Sequence, residues 1–196
     1  ANKYDNSFTS SICALESDKE VHTYSDEVKF VLDTSDAASY IQTAKDINAS
    51  ADIKIIMIQH EFGLFDSKCD DQFLSFLSSL TKPVIITYHT VLPRPDALFK
   101  LKVEEISARC AAIIVMTQNS ADILLADYLI PAEKVSVIPH GVHLVPHSNK
   151  KALKEKYGLS GRTILSTFGL ISSGKSIETT LDALPDIVKN DPGVLF

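Results

Sequence analysis

The chain has 196 residues, 45% of them hydrophobic, and a formal net charge of −6. That is enough apolar material for one full domain, or for one domain and part of another. The acidic balance argues against a nucleic-acid partner, because no basic excess is available to neutralise phosphates. No apolar run reaches membrane-spanning length, and residues 1–11 are too polar for a signal peptide. Cys13, Cys69 and Cys110 are odd in number and lack metal-type spacing, so a reducing cytoplasm is the simplest location.

After a polar lead-in, residues 11–15 and 28–32 are predicted strands. Ser35-Asp36 supplies an N-cap, and Tyr40, Ile41, Ala44 and Ile47 follow at helical spacing. Residues 53–58 are rich in β-branched side chains and apolar on both faces, the pattern of a strand covered by helices on both sides. Phe73, Leu74, Leu77 and Leu80 mark a helix, and Pro83 opens a strand at a position where a missing N–H is tolerated. Leu98, Leu101 and Ile106 predict another helix, followed by a strand over 112–116. Asn119-Ser120 is expected to cap a helix carrying Ile123, Leu124 and Tyr128, with Pro131 stopping it. Residues 135–138 form the last strand of the series. This βαβα rhythm predicts a Rossmann-like, doubly wound parallel sheet over residues 1–142.

Residues 143–162 change character. Pro146, Ser148, Asn149 and the lysines Lys150, Lys151, Lys154 and Lys156 read as a polar, partly helical linker ending at Gly158 and Gly161. A new unit then opens: strand 163–168, loop 169–174, and a helix with Ile177, Leu181, Leu184 and Val188 on one face. Gly193 introduces the start of a further strand. One βαβ unit cannot cover its own hydrophobic faces, so 163–196 reads as the opening of a second domain and the chain as truncated at both ends. Such a stub is expected to self-associate or to pack against the first domain.

Polar groups recur directly behind hydrophobic strands: Gln59-His60-Glu61-Phe62-Gly63, His89-Thr90, and Pro139-His140-Gly141. In a parallel α/β sheet, ligands bind in the crevice outside the carboxyl ends of the strands, so these groups point to one shared crevice. Each has a bland alternative. His60 and Glu61 can form a structural pair, and His89 can either polarise a substrate hydroxyl or bond its own loop. His140, His143 and His147 have ligand-like spacing, but Pro146 forbids one regular helix through them. No thiol or carboxylate joins them, so no metal site is expected. The lysines of 150–156 could attract an anionic membrane surface, although the interspersed Glu155 fits a solvated helical face.

Residues 169–176, GLISSGKS, match the phosphate-binding pattern G-x-x-x-x-G-K-[ST] between a strand and a helix. A magnesium-dependent NTPase also needs a later acidic strand end, and nothing in 177–196 can serve. A milder expectation survives: Lys175 and backbone N–H groups at a helix N-terminus suit an anion.

Taken together, these segments resemble the family 4 glycosyltransferases of the GT-B fold. His60-Glu61-Phe62-Gly63 is similar to the family's strand-end HE segment, and Tyr88-His89-Thr90 to its FHT motif. Residues 137–142, VIPHGV, resemble its IPNGV segment, and residues 163–196 resemble the opening of its donor domain, including Ala183-Leu184-Pro185. The resemblance spans roughly residues 50–196. It implies two Rossmann-like domains facing a cleft and transfer of a sugar from a nucleotide-diphosphate sugar to a carbohydrate or lipid-linked hydroxyl. Retention of configuration and no required cofactor or metal are implied as well, in the cytoplasm or at the inner membrane face. His89 is placed at the reaction centre, with His60, Glu61, Phe62, Gly63 and Thr90 on the acceptor side. Gly169, Gly174 and Lys175 meet the donor diphosphate, and His140 and Gly141 line the interdomain cleft. Leu170 stands where many members carry arginine, Ser176 replaces a glycine, and His140 replaces asparagine. The family's first strand and its donor-binding glutamates fall outside the chain, so the fragment alone is expected to be inactive. Two other classes stay open: a P-loop nucleotide-binding protein and a non-catalytic Rossmann-like interaction domain.

Overall fold

The computed structural model describes residues 7–17, 22–64, 70–169, 171 and 173–196; Cys69 and Leu170 lie outside the described residues. Two compact units emerge, Ala1–Gly141 and Val142–Phe196. In the first, β1 (Ile12–Glu16) pairs in parallel with β2 (Val28–Asp33). A second parallel sheet has the order β3 (Ile56–His60), β4 (Val84–Tyr88), β5 (Ala112–Val115), β6 (Val135–Val137). Helices α1 (Ala37–Ala49), α2 (Asp70–Ser79), α3 (Ala97–Arg109) and α4 (Gln118–Ala126) connect the strands. This is a mixed α/β architecture built on parallel sheets, Rossmann-like in kind.

Strand parity decides what each strand buries. In β4, Val84, Ile86 and Tyr88 are almost fully buried and share a core with Ile106, Ile113, Val115 and Leu124. In β3, Ile58 packs against that core and His60 is 2% exposed, whereas Met57 is 61% exposed. Residues 53–58 are thus covered on one face only, and the strand begins at Ile56, later than the apolar run does. Its partner register, Ile56 to Val84 through His60 to Tyr88, brings the two strand ends level.

The helices start where side chains can satisfy their first N–H groups. Asp36 accepts from Ala38 N, and Asp96 accepts from both Leu98 N and Phe99 N. For α4 the cap is Thr117, whose hydroxyl accepts from Ser120 N, and not Asn119-Ser120, which lie inside the first turn. Helix α3 also turns differently from its apolar spacing: Val103, Ile106 and Ser107 are buried, while Leu98 and Leu101 are 81% and 53% exposed. Helix α4 ends at Ala126, before Pro131 is reached.

In the second unit, Asn149 caps α5 (Lys150–Lys156), accepting from Lys151 N and Ala152 N. Gly158 and Gly161 take positive φ of 67° and 74°, which glycine adopts without steric cost. Strand β7 (Thr163–Ile164) is shorter than the strand expected over 163–168 and pairs in parallel with β8 (Val194–Leu195). Helix α6 (Ile177–Asn190) carries Pro185 inside it and buries none of its residues fully.

Candidate active site at the strand ends

Because β3 to β6 are parallel, their carboxyl ends share one edge, and the chain leaves that edge through residues 61, 89 and 138–141. Backbone bonds extend the ladder past the strands: His89 N donates to His60 O at 3.1 Å, and Ile138 N to Val115 O at 2.9 Å. His89 and His140 meet there, with ring centroids 6.4 Å apart and planes at 74°.

Several polar contacts organise this edge. His89 Nε2 lies 2.8 Å from Gln59 Oε1. Thr90 Oγ1 donates to Glu61 Oε2 at 2.7 Å, and Phe62 N donates to Glu61 Oε1 at 3.1 Å. Both carboxylate oxygens of Glu61 are therefore engaged, one tying β3's exit to β4's. His140 Nδ1 donates to the carbonyl of Gly141 at 2.7 Å, since a carbonyl can only accept. Gly63 is exposed, with open space where a Cβ would sit.

His60 and Phe62 go elsewhere. The His60 imidazole turns into the core, its ring centroid 4.6 Å from Phe62 and 5.4 Å from both Phe73 and Tyr88. Phe62 in turn packs 4.6 Å from Phe99. Burial pushes the His60 pKa down to about 4, only partly opposed by the nearby Glu61 carboxylate. The ring is neutral at physiological pH, an aromatic wedge behind the strand ends. Gln59, which heads the polar run 59–63 without a role assigned to it, stands on the open edge instead. The signal was present: side chains alternate along a strand, so residues 59 and 61 share a face.

Gly169, Gly174 and Lys175, expected on the donor side, lie in the second unit. Gly169 has φ +105°, and a Cβ there would sit 3.1 Å from Lys175 Cε and 3.2 Å from its Nζ. Glycine thus lets the lysine ammonium lie close over the loop backbone. Gly174 and Lys175 belong to a 3-10 turn, Ser173–Lys175, and Ser176 takes a left-handed φ of 47° just before α6. Lys175 and Ser176 precede the helix and do not occupy its first turn. His143 and His147 are exposed in the segment before α5, outside helix and strand.

A cleft of about 170 Å³ lies at the opposite edge of the sheet, lined by Ser107, Tyr128, Pro131 and Lys134 among others. It is smaller than ordinary ligand pockets. Lys134 Nζ is already occupied there, donating to the carbonyls of Ser107 and Cys110 at the end of α3. Among the described residues no three His, Cys, Asp or Glu side chains group as metal ligands do, and no helix is long and apolar enough to cross a membrane. Burial raises the thiol pKa of Cys13 and Cys110 to about 11, which keeps both protonated.

In Rossmann-like α/β units ligands bind outside the carboxyl ends of the strands, the edge at which these polar groups gather. Residues 41–145, more than half of the chain, match Glycosyltransferase Family 4, and the chain belongs to that family. No curated protein matches it. The matched segment runs from α1 through Glu61, His89 and His140, so it contains the whole strand-end cluster.

Proposed function

We propose that the protein transfers a hexose from a nucleotide-diphosphate sugar to a hydroxyl of a carbohydrate or lipid-linked acceptor, retaining the anomeric configuration and using no metal. The observation that carries this reading is the exposed His89, set at the shared strand edge among Gln59, Glu61, Thr90 and His140 in a glycosyltransferase-family unit. His89 hydrogen-bonds a hydroxyl at the reaction centre, and Glu61, Thr90 and Gly63 shape the acceptor side. Gly169, Gly174 and Lys175 receive the diphosphate. As the bond between the anomeric carbon and the phosphate oxygen breaks, negative charge grows on the leaving group. A preset cation and N–H groups then stabilise the transition state more than the ground state. A cytoplasmic protein that touches a membrane only at its surface fits the exposed Lys150, Lys151 and Lys156.

The test is a titration of the full-length protein with UDP, GDP and ATP, with and without EDTA. Turnover of UDP-glucose and GDP-mannose is measured alongside. Metal-independent binding of UDP or GDP, weakened in Lys175→Ala and spared in Ser176→Ala, supports the transferase. Magnesium-dependent ATP binding lost in both variants makes residues 169–176 a true P-loop and overturns the reading.

A further inference from the structure

Behind His89 stands a side chain that lies just outside the segment 60–63 resembling the family's. Gln59 pairs with Thr87 across β3 and β4, two residues before Glu61 and His89 leave their strands. The His89 ring lies back along the sheet toward Gln59 Oε1, at 2.8 Å, and not toward the carboxylate of Glu61. Glu61 has one oxygen on Phe62 N and the other on the Thr90 hydroxyl. His140, the other imidazole at this edge, has its Nδ1 on the Gly141 carbonyl. His60, the third nearby imidazole, is turned into the core.

An amide oxygen has lone pairs and no proton, so the ring nitrogen that meets it must donate. We propose that Gln59 is the positioning residue for His89: it holds the imidazole as the Nε2–H tautomer and leaves the Nδ1 lone pair to accept from a substrate hydroxyl. Which hydroxyl is involved rests on the transferase reading; the tautomer itself does not. A group behind the histidine that fixes both proton and ring plane is how an imidazole is made ready for one direction of hydrogen bonding. The contact is exposed to solvent, so the bias it imposes is modest, on the order of tenfold in tautomer ratio.

The experiment has two independent readouts. Long-range proton–nitrogen correlation spectra of the histidine-labelled chain, at about pH 9 where imidazoles are neutral, report the tautomer, with His89→Ala assigning the signal. The expected result is Nε2–H in the parent, a shift toward Nδ1–H in Gln59→Leu, and Nε2–H retained in Gln59→Glu, whose carboxylate also only accepts. A tenfold loss in tautomer ratio takes the competent form from about nine-tenths to about half of the molecules. Sugar-nucleotide turnover by the full-length protein should therefore fall about twofold in Gln59→Leu and recover in Gln59→Glu. An Nδ1–H parent, or a tautomer unchanged in Gln59→Leu, overturns the proposal. A shifted tautomer with unchanged turnover in Gln59→Leu removes the positioning role. Unchanged turnover in His89→Ala sinks the transferase role of the ring beneath it.

Discussion

His60 and His89 leave adjacent strands at the same edge and meet opposite environments. The parity that places Gln59 and Glu61 on the open side places His60 with Ile56 and Ile58, facing Phe73 and Tyr88. That parity was legible; what the motif obscured was that a histidine in a polar run can continue a hydrophobic face. The consequence is a pH dependence. From an ordinary value of 6.5 the His60 pKa falls to about 4, chiefly through burial. Between these values the unfolded chain binds a proton that the folded chain refuses, so stability drops as pH falls through the window, by up to about 3 kcal/mol. Above pH 6.5 the contribution is flat. Denaturant unfolding of the chain and of His60→Phe from pH 8 to 4.5 should therefore give a shallower decline in the variant; parallel curves would show that His60 is not the group responsible. His89→Ala predicts the reverse pattern. The melting temperature stays put because the side chain is exposed, and full-length turnover falls about a hundredfold or more, the usual scale for a positioned catalytic group. Unaltered turnover would exclude His89 from the reaction centre.

At the scale of elements, the sheet and its helices are joined by polar contacts as well as by apolar packing. Tyr88 ends β4 in the core, and its hydroxyl lies 3.0 Å from Ser107 Oγ on α3, with Ser107 1% exposed. Burial drives the Tyr88 pKa far above its usual value, so the phenol stays protonated and available as a donor. Removing one partner strands the other in the core. Ser107→Ala should cost about 1–3 kcal/mol, whereas the double variant Tyr88→Phe/Ser107→Ala should recover most of that loss, because no buried hydroxyl is left unpaired. Additive losses would mean that the two hydroxyls are satisfied separately. The apolar periodicity of α3 in sequence includes Leu98 and Leu101, yet the buried face is Val103, Ile106 and Ser107. A serine that buries by pairing with a tyrosine from another element is invisible to hydropathy. The cap of α4 was misplaced for a related reason. Thr117, Asn119 and Ser120 are all good capping residues, and only the backbone path out of β5 selects Thr117.

Across the whole molecule, the rhythm of strands and helices was readable because each parallel strand is a short apolar run bounded by turn residues. The second unit was harder. Residues 163–168 read as one strand, but pairing holds only Thr163 and Ile164 to β8, with Thr163 N donating to Gly193 O and Leu165 N to Leu195 O. The sequence pattern counts hydrophobic residues, whereas the ladder counts available neighbours. Burial differs accordingly. In Ala1–Gly141 a continuous core runs from Leu32 through Ile86 and Ile113 to Tyr128. In Val142–Phe196 the buried hydrophobic residue among those described is Val194, and Leu181 and Val188 of α6 are 52% and 41% exposed. Pro185 also leaves the helix without one of its N–H donors. Local opening is easiest where few apolar contacts hold an element. Hydrogen exchange on the 196-residue chain should therefore find the amides of Ile86, Tyr88 and Ile113 the slowest, and those of Leu184 and Ile187 exchanging well before them. Protection of α6 equal to that of β4 would mean that the helix is held by contacts its exposed face does not suggest, and would overturn the view of two units of unequal stability.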